Sequence, residues 1–127
     1  MTHNTLKIKT MIALQKKYKG RIRLFGRSVG LAYFKRGKTF IGPYKIGERG
    51  LSDIYGSLSF SNNKIKICLS FSIEIKSGKD QLSHEQKKHK KISESLGELF
   101  VVGKDVSQVC QDFDTWEKSI KEKLNGT

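Results

Sequence analysis

From Lys64 to Ile75 the chain alternates without a break, with Ile65, Ile67, Leu69, Phe71, Ile73 and Ile75 on one side and Lys64, Lys66, Cys68, Ser70, Ser72 and Glu74 on the other. A period of two marks a strand with one apolar face, so any fold of this chain must cover one side of that strand. Leu51 to Phe60 reads as a second strand, and Asn62-Asn63 between the two suits a two-residue turn of the primed type, because asparagine tolerates positive φ. The hairpin then sets Ser61 opposite Lys64, Ile54 opposite Phe71, Leu58 opposite Ile67 and Phe60 opposite Ile65. Apolar meets apolar each time, and a slip of one residue would destroy that match.

The same register sets Asp53 opposite Ser72, on the face of Glu74 and diagonal to it, with Cα atoms roughly 7–8 Å apart. Two carboxylates, the main-chain carbonyl of Ile75 and several waters would give a hard cation such as Mg²⁺ or Mn²⁺ an oxygen shell. Lys76 lies on the same face, where its ammonium could hold a scissile phosphate or orient an attacking water. The metal would lower that water's pKa and neutralise charge developing on phosphate. The plainer alternative is that Asp53, Glu74 and Lys76 are polar residues on the solvated side of an antiparallel sheet. An isolated Glu-x-Lys would be no more than that; the acid pair, the lysine and the motifs that follow favour a site.

In these residues the chain resembles the PD-(D/E)xK nuclease superfamily, and within it the small VRR-NUC domains of viral-type replication and repair nucleases. Gly50-Leu51-Ser52-Asp53-Ile54-Tyr55-Gly56 is similar to the family's glycine, small residue, aspartate motif. Ile73-Glu74-Ile75-Lys76 is similar to its Glu-x-Lys strand, and Leu82-Ser83-His84-Glu85-Gln86 to its Leu-Ser-x-x-Gln helix start. Gly30 and Gly42 also sit where such domains carry glycines, so the resemblance spans about Lys7 to Val109. It implies a restriction-endonuclease-like α/β core, a mixed central sheet flanked by helices, and Mg²⁺- or Mn²⁺-dependent hydrolysis of DNA phosphodiesters. Asp53, Glu74 and the Ile75 carbonyl would hold the metal, and Lys76 and Gln86 would assist. It further implies a structure-specific substrate such as branched or Holliday-junction-like DNA, a homodimer that cuts two strands, and a phage or mobile-element origin. One departure stands out. Such domains usually carry a metal-site glutamate on the first helix, and this chain has no acid before Glu48. Asn4, Thr5, Gln15, Glu48 or another water would have to take its place, with weaker metal binding or lost catalysis as the consequence. Gln86 has a second explanation, since Ser83-x-x-Gln86 fits a capping box.

Charge is the second strong signal. Lys plus Arg number 25 against 12 acids, for a net +13, and residues 1–47 hold twelve basic residues and no acid. Such a surface should bind a phosphate backbone strongly, with salt dependence and without reading sequence. Lys16, Lys17, Lys19, Arg21, Arg23, Arg27, Lys45, Arg49, Lys79 and Lys87 are the candidate DNA contacts. Tyr18, Phe25, Tyr33, Phe34, Phe40 and Tyr44 lie among these charges and could stack on bases, though most should be core. A non-catalytic nucleic-acid-binding protein on the same fold is the main rival reading. A restriction-type enzyme would need base contacts that no motif here supplies.

The length of 127 residues fits one domain, 1–127, with a core that needs neither disulfides nor a structural metal. No stretch reaches transmembrane length and residues 1–10 lack the apolar run of a signal peptide, so an intracellular, cytoplasmic protein of a bacterial or phage-infected cell is expected. Cys68 and Cys110 show no metal or disulfide spacing and are expected as buried thiols. His84 and His89 do not share a helical face, and His3 is expected in a loose terminus. A helix is expected from about Thr5 to Lys19, with Leu6, Met11, Ile12, Leu14 and Tyr18 apolar. Strands are expected near 21–25, 30–35 and 38–41 with turns at Gly26, Gly37 and Gly42-Pro43, then a loop from Pro43 to Gly50. A helix from Ser83 to about Leu96 should carry Lys87, Lys88, Lys90 and Lys91 outward. A strand over Glu98 to Val102, parallel to the Glu74 strand, follows. Asp105 or Ser107 then caps a last helix whose stripe of Val106, Val109, Cys110, Phe113, Trp116, Ile120 and Leu124 is core.

Overall fold

The structure, a computed structural model, describes residues 2–26, 30–46 and 52–126, with backbone alone for most of 30–46. In chain order it comprises α1 (His3–Lys17), β1 (Ile22–Gly26), β2 (Gly30–Arg36), β3 (Thr39–Ile46), β4 (Ile54–Ser61), β5 (Lys66–Ile75), α2 (His84–Ser95), β6 (Leu99–Gly103) and α3 (Val106–Asn125). This is a mixed α/β fold. A four-stranded sheet of order β1-β4-β5-β6 is flanked by helices, and β2 and β3 form a separate hairpin. β1, β4 and β5 are antiparallel, while β6 joins β5 in parallel, as the helical connection through α2 requires.

Helix α1 begins earlier than the sequence pattern suggests, because Thr2 caps it by accepting a hydrogen bond from the amide of Thr5 at 3.1 Å. Leu6, Thr10 and Leu14, spaced by four, turn one face into the core, and Tyr18 continues it. Ile12 lies outside that stripe and is 51 % exposed, contrary to expectation. Helix α3 is capped by Asp105, which accepts from the amide of Gln108 at 2.8 Å. Val109 and Phe113 are fully buried, and Trp116 sets its ring edge-on against Phe60, Phe71 and Phe113. Each such aromatic or aliphatic side chain removed from water contributes about 1.5–3 kcal/mol. The strands supply the other wall through Ile22, Ile54, Leu58, Phe60, Phe71, Ile73, Ile75 and Val101.

The β4–β5 hairpin keeps the expected faces but not the expected register. Ile54 pairs with Ile73, Leu58 with Leu69, Phe60 with Ile67 and Ser61 with Lys66, a displacement of two residues. The cause is the turn. Asn62 Oδ1 accepts from the amides of Lys64 and Ile65 at 2.8 and 2.9 Å, and Asn62 N donates to Ile65 O at 2.9 Å, so the loop takes four residues rather than two. No non-glycine residue among those described has positive φ, so the primed turn is not used. A slip of two leaves every side chain on its face, which is why apolar still meets apolar. Asn62 Nδ2 also donates to Leu124 O at 3.1 Å and ties the turn to the end of α3. Gly56 faces the core where a Cβ would stand 1.8 Å from Arg23 O and 2.9 Å from Phe71 Cζ, so no larger residue fits between these chains.

Two other expectations are corrected. β3 runs through Gly42 and Pro43 to Ile46 instead of turning there. A register shift opposite Tyr33 absorbs the pair as a bulge, and Gly42 adopts φ 139°. Cys68 is exposed on the polar face of β5, and Cys110 is half-buried; both are free thiols. Among the aromatics interleaved with the basic residues, Tyr18 is core and Phe25 is 40 % exposed. The side chains of Tyr33, Phe34, Phe40 and Tyr44 lie outside the described residues. Among the described residues no helix is long and apolar enough to cross a membrane.

Candidate functional site

Asp53 and Glu74 come together where β4 and β5 leave the ladder. Continuing the register one step past Ile54 and Ile73 brings Asp53 level with Glu74, closer than the diagonal placement expected from the shorter turn. Asp53 Oδ2 accepts from the amide of Ile75 at 2.8 Å, which fixes the carboxylate beside the strand. Ser52, just before it, is 1 % exposed, so only a small side chain fits at that point of the motif. On an extended strand the N–H and C=O of one residue point to the same side, so the Ile75 carbonyl also faces Asp53. Lys76 follows on the Glu74 face, and its backbone amide donates to Gly103 O at 2.9 Å.

Glu74 is the unusual group. It is 3 % exposed, and among the described residues no donor reaches its Oε2. Burial raises its pKa first, and the adjacent Asp53 raises it further by sharing a hydrogen bond and by charge. Lys76 opposes both, and the carboxyl is pushed up to about 8. The acid pair therefore holds a proton near neutral pH for want of positive charge.

Gln86 caps α2 and touches the acid pair at once. Its Oε1 accepts from the amide of Ser83 at 2.8 Å while Ser83 Oγ accepts from the amide of Gln86 at 3.2 Å, completing the capping box. Its remaining Nε2 donates to Glu74 Oε1 at 2.8 Å. The start of α2 is thus fastened to the acid pair by one side chain.

His3 was not foreseen. Expected in a loose terminus, it is the first residue of α1, and its Nε2 stands 3.4 Å from Asp53 Oδ2. The Thr2-x-x-Thr5 cap was the signal available, because it moves the helix start upstream and orders His3. A histidine on α1 therefore faces Asp53. Glu48 lies outside the described residues; Thr5 hydrogen-bonds with Thr2, and Gln15 lines a groove with Met11 and Leu24.

The residues fit a divalent cation in part. Among the described residues no three His, Cys, Asp or Glu side chains converge to hold one on their own. The unpartnered Glu74 Oε2, the facing Asp53 carboxylate and the Ile75 carbonyl are nonetheless hard oxygen donors on one side of the strand, with water left to complete a shell.

The candidate DNA contacts divide. Arg21 donates to Ser59 O at 3.2 and 3.0 Å and to Glu117 Oε2 at 2.7 Å, and its guanidinium lies against the rings of Tyr18 and Phe60. Lys17 pairs with Asp114. These two are engaged by α3, whereas Lys19, Arg23, Lys79 and Lys87 are exposed. Lys16, also exposed, borders a groove with Met11, Ile12, Gln15 and Leu24. Arg27 and Arg49 lie outside the described residues, as does the side chain of Lys45. His89 turns inward against the ring of Phe100 at 6.1 Å, and His84 is exposed. No family model matches the chain, and comparison with curated proteins and with solved structures finds no match.

Proposed function

We propose that this protein is a Mg²⁺- or Mn²⁺-dependent nuclease that hydrolyses DNA phosphodiester bonds, as its resemblance to VRR-NUC domains of the PD-(D/E)xK superfamily suggests. The observation that carries the reading is a buried glutamate with an orphan oxygen, set against a second carboxylate and followed two residues on by a lysine. Nothing in the core requires a charge there, and a hydrophobic or amide side chain would cost less. A carboxyl buried this way beside a second one is a functional-site candidate, and a cation would satisfy it. The bound metal would supply charge neutralisation at the phosphate and acidify the attacking water. Asp53 and Glu74 present it with oxygen, held in place by the Ile75 amide and by Gln86. Lys76 holds the scissile phosphate or orients the water. The N-terminal half, without an acid through residue 47, concentrates polyanion at this edge of the sheet. A structure-specific role in replication, repair or recombination, exercised by a homodimer on branched DNA, follows from the same resemblance.

A second reading rests on His3. Where the related domains carry an acid on the first helix, this chain sets an imidazole against Asp53. A domain that kept DNA binding and lost cleavage would fit that exchange. Incubating wild type and Asp53→Ala with labelled four-way junction, flap and linear duplex, in Mg²⁺, Mn²⁺ or EDTA, separates the two. Cleavage that requires metal and Asp53 supports the nuclease. Tight binding without cleavage under any metal supports the relic.

A further inference from the structure

The four-stranded sheet ends at β6, and no described strand pairs with the outer side of β6. The β2–β3 hairpin forms a sheet of its own and joins the fold through β1 and β4, on the far side of β5. One bond tells which backbone groups of β6 point outward. Gly103 O accepts from the amide of Lys76, so the N–H and C=O of Leu99, Val101 and Gly103 face β5, and those of Phe100 and Val102 face away from the sheet. Among the described residues no hydrogen bond reaches these outward groups. Their neighbours along the strand are satisfied, since Glu98 N donates to Ser93 O at 3.0 Å and Lys104 N to Gln108 Oε1 at 2.9 Å.

Sheet edges left bare are ordinarily blunted by a charge, a proline or a bulge. β6 has none of these from Leu99 to Gly103, where its register against β5 is unbroken. Its charges stand just outside, with Glu98 before the strand and Lys104 after it. An acid, five uncharged residues and a base match themselves when reversed. Two copies laid antiparallel about Val101 set Phe100 opposite the partner's Val102 on either side of the axis, and each such pair exchanges two backbone hydrogen bonds. Glu98 then meets the partner's Lys104 at both ends, and Leu99 meets the partner's Gly103, so bulk faces no bulk. A shift of one residue turns outward groups against inward ones. A shift of two sets Glu98 against the partner's Val102 or Lys104 against the partner's Phe100. A groove lined by Leu99, Thr115, Trp116 and Ser119 leaves space beside β6 on the α3 face.

We infer that β6 is a dimer edge, through which two copies of this chain join their four-stranded sheets into one. The two-fold axis stands perpendicular to the sheet, so both copies keep the Glu74 face on the same side. With strands about 4.8 Å apart and a stagger of two residues, the two acid pairs stand roughly 15–25 Å from each other on that face. That separation suits the two strands of one DNA across a groove. The interface itself needs no catalysis; only the paired cut rests on the nuclease reading.

Light scattering after size exclusion, in EDTA at about 0.15 M salt, tests this on the full chain. Wild type should elute as a dimer, with twice the chain mass of 14.4 kDa. Val102→Pro removes an outward donor and no bond to β5, so it should fold and run as a monomer. Glu98→Lys and Lys104→Glu should each weaken the dimer roughly tenfold or more. Mixing these two variants, or joining both changes in one chain, should restore it. A monomeric wild type, or a dimer that Val102→Pro and the single reversals leave intact, would overturn the interface. If Val102→Pro fails to fold, failure of the mixture to recover the dimer overturns it alone. A dimer that behaves as expected but cuts no DNA in metal would refute the nuclease and leave the edge standing. A monomer that cuts would refute the edge alone.

Discussion

Replacing Glu74 by glutamine should stabilise the metal-free protein at alkaline pH, even though it removes a group assigned to catalysis. The amide keeps the shape of the carboxyl and still accepts the Gln86 Nε2 bond through its oxygen. What it removes is a buried charge set against Asp53. In the folded protein burial and Asp53 lift this carboxyl from its ordinary 4.5 to about 8. A carboxyl whose folded pKa lies above its unfolded value leaves the folded state holding more protons, so the stability it contributes is fully present below about 4.5 and drains away as pH rises toward about 8. At about 1.4 kcal/mol per pH unit, the loss across that window is at most roughly 5 kcal/mol, and roughly 3 kcal/mol once water entering the site screens the charge. That is a large part of the 5–15 kcal/mol that is typical of a domain, on the order of 10 °C in Tm for a chain of this size. Melting followed by circular dichroism in EDTA should show wild type and Glu74→Gln close together at pH 5, with the variant well above wild type at pH 8. Millimolar Mn²⁺ should raise the wild type at pH 8 and leave the variant unmoved, since a ligand of the native state stabilises by its occupancy. Parallel curves at every pH, or a variant less stable than wild type at pH 8, would refute the electrostatic account of the pair.

Three further outcomes follow from particular contacts. Gln86→Glu keeps the reach-back acceptor of the capping box but turns the donor facing Glu74 Oε1 into a third carboxylate, so cleavage should fall at least about tenfold while α2 survives, read by kinetics beside circular dichroism. Arg21→Met should cost about 1.5–3 kcal/mol in urea unfolding, because Ser59 O and Glu117 lose a charged donor, yet leave DNA affinity within about twofold at fixed salt. Gly56→Ala should destabilise by roughly 3 kcal/mol or more, or prevent folding, since the added methyl would meet Arg23 O and Phe71.

The sequence made the elements legible where a period or a cap spoke for itself. The alternation from Ile67 to Ile75, the Ser83 to Gln86 box and the α3 stripe stand as read, whereas Ile65 falls in the turn and is 49 % exposed. The hairpin register did not, because asparagine has two ways of making a turn and only one uses positive φ; here Asn62 closes a longer loop with its side chain. That difference carried Asp53 from a diagonal position to one level with Glu74, so the acid pair was legible in kind but not in geometry. Arg21 shows the limit from the other side. Composition places it in the basic half, but only the packing of α3 over the sheet reveals that Glu117 and Ser59 claim its guanidinium. His3 depended on where α1 starts, and a single threonine decides that.

The most direct measurement is the single-turnover rate at which wild type and Asp53→Asn cut an end-labelled DNA once Mg²⁺ is added. The asparagine can still accept the Ile75 amide through its oxygen, so the fold should persist while one metal-facing charge is lost. Wild type should cut only after metal addition, and the variant should fall by roughly a hundredfold or more. Cleavage by Asp53→Asn at the wild-type rate, or none by wild type in Mg²⁺ or Mn²⁺, would contradict the assignment of this site to metal-dependent phosphodiester hydrolysis.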